Sequence, residues 1–358
     1  MTDQIRLNPL PARLIEKHNL NLSGLTVYTE AASGAYLLTP ILAALAGAEH
    51  VFAQTQDSQF ADAGEVIART REMAAIYDVQ DSLEFLDRRC HRSLAVSDIV
   101  TNSGLVRPID KDLIDTLKPT AVIPLMWETW ELRPSEFDLG LCKDRDILVL
   151  GTNEQSPSCD MSRYAGLLAL KLLFDLGFDG GKILVLGSDP LPAGPMVDYM
   201  RRIDIDVTWA SAGGNGDLDY ESLGEHYDVN GSEYDVMIIA EHKSSQLLLG
   251  KGGLIEFDSI HKFNPMQKIG VICGNVCEFG LRKSGLQFCP QTIAPVGHLS
   301  YQPYLMGPRP VLDLYAAGLK VGETMARARL AGLSVRESAT EALNNSPAMD
   351  FEEGMAWV

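Results

Sequence analysis

A glycine-containing turn after a short apolar run is the strongest chemical signal in the sequence. Residues 182–186 form a mostly apolar, partly β-branched run that is typical of a buried parallel strand, and Gly187 closes it. A helical pattern follows. A turn in this position commonly carries G-x-G-x-x-G, so that backbone amides and a helix N-terminus face a pyrophosphate. The chemistry that this segment suggests is therefore phosphate binding.

The same turn departs from that pattern in its charge and in its supply of amide donors. Gly187 has the first glycine position, but Asp189 and Pro192 occupy the second and third. Gly194 comes two residues late. A carboxylate here would repel a phosphate, and the prolines within residues 190–195 remove amide donors. The turn either contacts a cofactor or is a plain connection without a ligand. The cofactor contacts predicted here are Gly187, Ser188, Asp189 and Gly194.

Histidine and lysine side chains follow two later predicted strands, at the sheet edge where open α/β proteins bind ligands. His298 comes after strand 291–294, and His242 and Lys243 come after strand 235–240. A histidine can take up or release a proton near neutral pH, and a lysine can hold a carboxylate or phosphate as a point charge. We predict that His298 and His242 are catalytic. The simpler alternatives are a histidine bonded to the backbone and an exposed charged turn.

Two polar segments follow strands in the first half of the chain. Residues 102–104 come after strand 99–101 and form an amide-rich turn that could cradle a carboxylate. Glu128 comes after strand 121–125, between two tryptophans, and is predicted to act as an acid or base or to bind a substrate amine. The alternatives are an ordinary turn and tryptophan packing. The predicted substrate-binding residues are Asn102, Ser103, Gly104, Lys243 and Tyr301.

Length and composition favour a protein that acts on small molecules. The chain has 358 residues, a length that exceeds what one hydrophobic core usually serves, so we expect two domains. The hydrophobic fraction of 46% is sufficient for a core in each. Its net charge of −18 disfavours nucleic acid and anionic membranes, since both attract basic surfaces. No apolar run approaches the roughly 20 residues that span a bilayer. We therefore expect a small-molecule substrate, with neither nucleic acid nor membrane as a partner.

The cysteines and the amino terminus favour a cytoplasmic protein without a metal site. The six cysteines are scattered, and residues 1–6 lack the basic and apolar regions of a signal peptide. Cys273 and Cys277 could form half of a metal site. No second pair or nearby histidine cluster completes four ligands.

Strand and helix patterns alternate along the chain, which predicts an α/β protein with parallel sheets and helices on both faces. The predicted strands are 25–29, 50–53, 99–101, 121–125, 147–150, 182–186, 205–209, 235–240, 269–273 and 291–294. The predicted helices are 36–46, 62–77, 81–90, 110–117, 158–176 and 311–330, with a short helix within 211–233 and another within 331–358.

This layout resembles the D-isomer-specific 2-hydroxyacid dehydrogenases and, more distantly, S-adenosylhomocysteine hydrolase, over about residues 25–330. The resemblance implies two Rossmann-like domains, an NAD or NADP cofactor, and a homodimer formed through the cofactor domains. Residues 98–104 are similar to the loop that holds the substrate carboxylate in that family, and residues 234–243 to the fourth strand of the cofactor domain. Residues 270–275 are similar to the next strand and its turn, and residues 294–298 to the segment that ends in the catalytic histidine.

The chain departs from that family at three positions. An arginine that grips the substrate is replaced by Gly274 and Asn275, which we assign to the cofactor site. The acid that pairs with the histidine is missing from residues 287–291. Ser211 stands where an NAD site would present an acid to the ribose, so the choice between NAD and NADP stays open. These departures indicate a reaction other than the standard one.

The sequence thus predicts two Rossmann-like, doubly wound parallel-sheet domains with a cleft between them. Residues 1–155 would form a substrate domain rejoined by helices 311–358, and residues 156–310 a nucleotide-binding domain. The predicted function is an NAD(P)-dependent oxidoreductase that acts on a small polar metabolite, bearing a carboxylate or an amine, in the cleft. The alternatives are a non-redox enzyme and a cofactor-less scaffold or regulatory protein with the same fold.

Overall fold

The computed structural model describes residues 9–358. The prediction about the amino terminus, residues 1–6, lies outside them. The chain divides into two compact units. The first unit runs up to Asp160 and resumes with Gly307–Val358, and the second unit is Met161–Met306.

The first unit contains a seven-stranded sheet in the order β15-β6-β5-β4-β1-β2-β3. All neighbouring strands are parallel except β15, which is antiparallel to β6. Its strands are β1 (Thr26–Glu30), β2 (His50–Gln54), β3 (Leu83–Leu86), β4 (Ile99–Val100), β5 (Val122–Pro124), β6 (Leu148–Thr152) and β15 (Ala348–Met349). Its helices are α1 (Leu10–Lys17), α2 (Thr39–Leu45), α3 (Ala63–Ile76), α4 (His91–Val96), α5 (Lys111–Ile114), α6 (Leu139–Asp144), α12 (Arg309–Leu330) and α13 (Val335–Asn345).

The second unit contains a six-stranded parallel sheet in the order β14-β12-β10-β7-β8-β9, and a small parallel pair, β11 with β13. Its strands are β7 (Lys182–Gly187), β8 (Asp206–Ser211), β9 (Leu218–Asp219), β10 (Tyr234–Ala240), β11 (Leu247–Leu249), β12 (Lys268–Cys273), β13 (Asn275–Val276) and β14 (Phe288–Cys289). Its helices are α7 (Ser162–Asp175), α8 (Ala193–Arg202), α9 (Tyr220–Asn230), α10 (Phe257–Phe263) and α11 (Glu278–Ser284). Single 3₁₀ turns in the two units are Gly34–Leu37, Gln80–Ser82, Thr129–Glu131, Gly231–Glu233 and Pro303–Met306.

Each sheet is buried on both faces, as a parallel sheet with crossover helices must be. Successive residues of one strand enter different hydrophobic clusters: Val122 and Ile123 of β5 do so in the first unit, and Ile183 and Leu184 of β7 in the second. In both sheets the first strand of the unit lies inside the sheet and the order reverses there, which is the doubly wound arrangement. The predicted doubly wound α/β architecture of the two units is confirmed.

Two predicted elements are wrong. Residues 81–90 were expected to be helical, but they contain the edge strand β3, which pairs in parallel with β2 through Val51 and Leu83. Tertiary pairing overrides local helix propensity there. A strand was expected at 291–294, whereas β14 ends at Cys289 and Pro290 follows without an amide proton to extend the ladder.

Other boundaries shift for identifiable reasons. The expected helix 36–46 is divided into a 3₁₀ turn and α2, where Pro40 lies in the first turn that tolerates it. The expected helix 158–176 begins at Ser162. The antiparallel strand β15 was not predicted, because a two-residue strand has no periodicity.

Candidate functional site

The turn between β7 and α8 has the close backbone packing of a nucleotide-binding turn. A Cβ on Gly187 would overlap the carbonyl oxygen of Ala240 and lie 2.6 Å from Cβ of Ala193, so only glycine fits between strand and helix. The Trp209 indole Nε1–H donates to the Gly187 carbonyl at 2.9 Å. Gly187 is therefore required for the close packing of β7 against β10 and the start of α8.

The side chain of Asp189 lies over the first turn of α8. Its Oδ1 is 2.5 Å from the position that a Cβ on Gly194 would take, and its Oδ2 accepts a hydrogen bond from Asn215 Nδ2 at 3.2 Å. Gly194 therefore makes room for a carboxylate of this chain. The start of α8 therefore already faces a carboxylate of this chain.

The remaining predicted cofactor residues support the surrounding loops. Ser211 is buried at the end of β8, and its Oγ accepts the Gly216 amide at 2.8 Å. Gly274 has φ of +132°, and a Cβ there would lie 2.8 Å from Cγ2 of Ile239. The Asn275 side chain donates to the Ser245 carbonyl at 2.7 Å. Ser211 ends β8 and Gly274 follows β12 of the six-stranded sheet, whereas Asn275 begins β13 of the small pair. Each has a structural role in its loop.

The structure brings the two predicted catalytic histidines to one loop cluster of the second unit. The His242 amide donates to Ser188 Oγ at 3.3 Å, and Ser188 belongs to the β7–α8 turn. The His242 ring Nε2 is 3.3 Å from the carbonyl oxygen of Gly297, the residue before His298. Because a carbonyl only accepts, Nε2 carries the proton in that contact. His298 is exposed, and its amide donates to Pro295 O at 3.0 Å.

A buried carboxylate that the sequence analysis missed holds the turn after β10. Glu241 is 1% exposed, and its Oε1 accepts the amides of Lys243 and Ser244, each at 2.9 Å. Its Oε2 accepts the Tyr220 hydroxyl at 2.7 Å. The exposed Lys243 and the adjacent His242 are therefore on a fixed turn. The position of Glu241, directly after an apolar strand, was the sequence signal for it.

Tyr301, a predicted substrate residue, lies in the hydrophobic core of the second unit. It is 2% exposed, and its hydroxyl donates to the Asp175 carboxylate. Burial raises the pKa of Tyr301 above its usual range, and the Asp175 charge adds to that effect. This placement gives Tyr301 a structural role that its sequence context did not indicate.

In the first unit, the predicted substrate loop, residues 102–104, lies beside a buried group of hydroxyls. The Thr101 hydroxyl donates to Thr29 Oγ1 at 3.0 Å and lies within hydrogen-bond distance of Ser103 Oγ. Thr29 Oγ1 in turn contacts the Tyr315 hydroxyl of α12. The loop is therefore anchored to the centre of the sheet and to the returning helix.

Asn102 and Gly104 complete this loop. Asn102 is fully buried, and its Oδ1 accepts the Met126 amide at 2.8 Å. Its Nδ2 has no acceptor among the described residues. A Cβ on Gly104 would lie 3.5 Å from Glu30 Oε2, which accepts the Leu105 amide at 2.9 Å. Burial raises the pKa of the Glu30 carboxyl.

Glu128 is one of three glutamates whose carboxyls interact at the ends of β5 and β6. Its carboxylate accepts Trp130 Nε1 at 2.6 Å and the Glu154 amide at 3.2 Å. Burial, followed by the charge of Glu128, raises the pKa of Glu131 to about 7. Burial, with the charges of Glu131 and Glu128, raises the pKa of Glu154 well above its usual value. Of the three, only Glu128 was given a role from the sequence, although Glu131 lies in the same segment and Glu154 also follows a strand.

Residues 9–358 contain no group of three or more histidine, cysteine, aspartate or glutamate side chains arranged to hold a metal ion. None of the helices in that range has the length and apolar content needed to cross a membrane.

Comparison with known proteins yields similarity in structure only. No family model and no curated protein sequence matches the chain. A dipicolinate synthase chain from Bacillus halodurans matches with a TM-score of 0.52 and 9% identity, over 83% of this chain and 96% of that one. NAD⁺-bound 3-phosphoglycerate dehydrogenase from Entamoeba histolytica matches with a TM-score of 0.47 and 12% identity, over 87% and 97%.

A 2-hydroxyacid dehydrogenase from Ketogulonicigenium vulgare matches with a TM-score of 0.48 and 11% identity, over 87% of this chain and 96% of that one. At such identities the similarity concerns the fold and not the activity. The chain therefore has the same fold as the dipicolinate synthase chain, and the predicted α/β layout is confirmed at the level of fold.

Proposed function

We propose that this protein is an oxidoreductase that uses NAD or NADP to convert a small polar metabolite bearing a carboxylate or an amine. The observation that carries the proposal is the link between the β7–α8 turn and the histidines. His242 is bonded through its amide to Ser188 of that turn, and its ring reaches Gly297 beside His298. Groups that can move a proton therefore adjoin the position where this fold binds a nucleotide.

The residues proposed to hold the cofactor are those of the sheet edge in the second unit. Gly187 and Gly194 flank the start of α8, and the Ser188 hydroxyl lies in the same turn, where it accepts the His242 amide. Ser211 ends the neighbouring strand, where the ribose of a dinucleotide would come, with Gly274 and Asn275 on the opposite side of the sheet centre. A nicotinamide bound there would accept or give a hydride.

His298 is the proposed proton carrier, because its side chain is accessible and can exchange protons with water or substrate. His242 is proposed to assist, with its ring oriented by the Gly297 carbonyl. Lys243 would attract an anionic substrate as a point charge.

The substrate residues proposed in the first unit would bind substrate groups of opposite charge. The turn at Asn102, Ser103 and Gly104 would bind a carboxylate. The Asn102 Nδ2 group, which has no acceptor among the described residues, would donate to it. Glu128 would receive an amine, since its carboxylate is fixed by two donors and lies beside two further carboxyls. An amine there would relieve the repulsion among them.

A specific observation favours a second candidate. Asp189 over α8 gives the nucleotide turn a negative charge, as expected for a non-redox enzyme or a cofactor-less scaffold that has retained the fold.

We further propose that the protein works in the cytoplasm. The six cysteines are free thiols. This state is the ordinary one in a reducing compartment.

The test is turnover with a substrate panel. The purified protein is incubated with NADH or NADPH and with 2-keto acids, or with NAD⁺ or NADP⁺ and hydroxy acids or amino acids, and nicotinamide absorbance is followed. We expect turnover of at least one class, and a loss of about 10²–10⁴-fold in His298→Ala, the range for removing a general acid–base. Turnover that is unchanged in His298→Ala and His242→Ala would contradict the assigned roles, and no turnover with any pair would contradict the redox function.

A further inference from the structure

The carboxylate of Asp189 occupies a defined place in the turn between β7 and α8. Asp189 stands where the second glycine of the nucleotide-binding pattern allows a pyrophosphate to approach the backbone. Its Oδ1 is 2.5 Å from the position of a Cβ on Gly194, the second residue of α8. The start of a helix carries a partial positive charge that favours an anion, although in α8 the Ala193 amide already donates to Ser188 O and Pro195 has no amide proton.

A second contact holds the carboxylate there. Asn215, in the loop between β8 and β9, donates to Asp189 Oδ2 at 3.2 Å. The side chain thus bridges the loops that follow two adjacent strands of the sheet. In a dinucleotide-binding unit, the ligand runs from the first of these loops to the second, because the pyrophosphate lies at one and the adenosine ribose at the other.

The described contacts do not neutralise this carboxylate. Arg201, a basic residue at the end of α8, donates to Asp217 and to the Val207 carbonyl. Asp189 is bonded to a neutral amide instead. A phosphate that approached the start of α8 would meet an uncompensated negative charge.

We infer that Asp189 is a gate for the cofactor site: its carboxylate occupies the place of a ligand phosphate at the start of α8, and a dinucleotide binds only by displacing it. This inference rests on the proposed function, since it concerns the same turn. Asp189 would then determine ligand specificity, because a ligand without a phosphate at this point would not be repelled by its carboxylate.

The experiment is calorimetric titration of three variants and the parent protein with NAD⁺, NADH, NADP⁺ and NADPH. Asp189→Asn removes the charge and keeps the shape. Asp198→Asn is the matched control, since it removes one exposed negative charge from the same helix, away from its start. Asn215→Ala keeps the charge and frees the carboxylate to move away. Melting temperatures establish that each variant is folded.

We expect Asp189→Asn to bind the preferred dinucleotide about tenfold or more tightly than the parent, which corresponds to about 1.4 kcal/mol. Asn215→Ala is expected to gain less, and Asp198→Asn to remain unchanged. Equal affinities of the parent and Asp189→Asn would overturn the gate and leave the proposed function standing. An equal gain in Asp198→Asn would also overturn it, since net charge alone would then explain the effect. Absence of binding in both the parent and Asp189→Asn would overturn the gate and the cofactor together.

Discussion

The interacting glutamates after β5 and β6 give this protein a pH dependence. Glu154 has a raised pKa because it is buried and because Glu131 and Glu128 are near. In the unfolded chain a glutamate ionises near pH ~4.3. Between that pH and the raised value, the unfolded state has released a proton that the folded state keeps. Stability contributed by Glu154 therefore falls as the pH rises through this window.

Replacement of Glu154 by Gln removes this ionisation. We expect Glu154→Gln to raise the melting temperature at about pH 8 and to change it little at about pH 4, where the carboxyl is protonated in the folded state and largely so in the unfolded state. Thermal unfolding at the two pH values measures the effect, with exposed Glu353→Gln as the control. A shift of equal size at both pH values would mean that ionisation of Glu154 is not its cause.

Glycine positions in the second unit provide a matched pair for the packing of the β7–α8 turn. A Cβ at Gly187 overlaps the Ala240 carbonyl oxygen, whereas Gly224 in α9 has open space around it. We expect Gly187→Ala to lower the free energy of unfolding by about 1–3 kcal/mol, as overpacking does. Gly224→Ala should raise it by about 0.5–1 kcal/mol through backbone entropy. Denaturant titration compares them, and a neutral Gly187→Ala would refute the close approach.

At the scale of elements, the turn after β10 depends on a carboxylate from the end of its own strand. Glu241 accepts two amides of the turn and the hydroxyl of Tyr220 from α9. We expect Glu241→Gln to weaken this arrangement, because a neutral amide accepts these bonds less strongly than a carboxylate. Hydrogen exchange at Lys243 and Ser244 should become faster, with exposed Glu233→Gln as the control. Unchanged protection of both amides would exclude Glu241 as the support of this turn.

Some secondary-structure elements could be predicted from the sequence, and others could not. Buried strands such as β7 and β10 are recognisable because they are continuous apolar runs, and the histidines and Glu128 follow from the rule that ligands bind after such strands. The edge strand β3 is not recognisable in this way, since only its pairing with β2 defines it. Local patterns identify buried strands better than edge strands.

The site was less predictable where contacts join distant segments. Nothing in the local sequence links Asp189 with Asn215, 26 residues apart. Tyr301 follows a loop histidine in the chain, but its hydroxyl reaches Asp175, 126 residues away. Such partners depend on the strand order, which the alternation of elements does not specify.

At the scale of the whole molecule, we propose that two chains associate. The basis is the resemblance to dehydrogenases whose cofactor domains pair. We expect light scattering on the eluting protein to give about twice the 39.1 kDa of one chain. A mass of one chain over the whole concentration range would contradict a homodimer. The net charge of −18 also predicts no retention on nucleic acid at moderate salt.

Binding of a nicotinamide dinucleotide by the second unit is the property on which the proposed function depends. Equilibrium titration of the unaltered protein with NAD⁺, NADH, NADP⁺ and NADPH tests it most directly, since binding precedes any choice of substrate. We expect saturable binding of one of the four dinucleotides with a Kd on the order of micromolar, which corresponds to a binding free energy of about −8 kcal/mol. Absence of binding by all four, in protein that melts cooperatively, would contradict it and favour a non-redox enzyme or a scaffold.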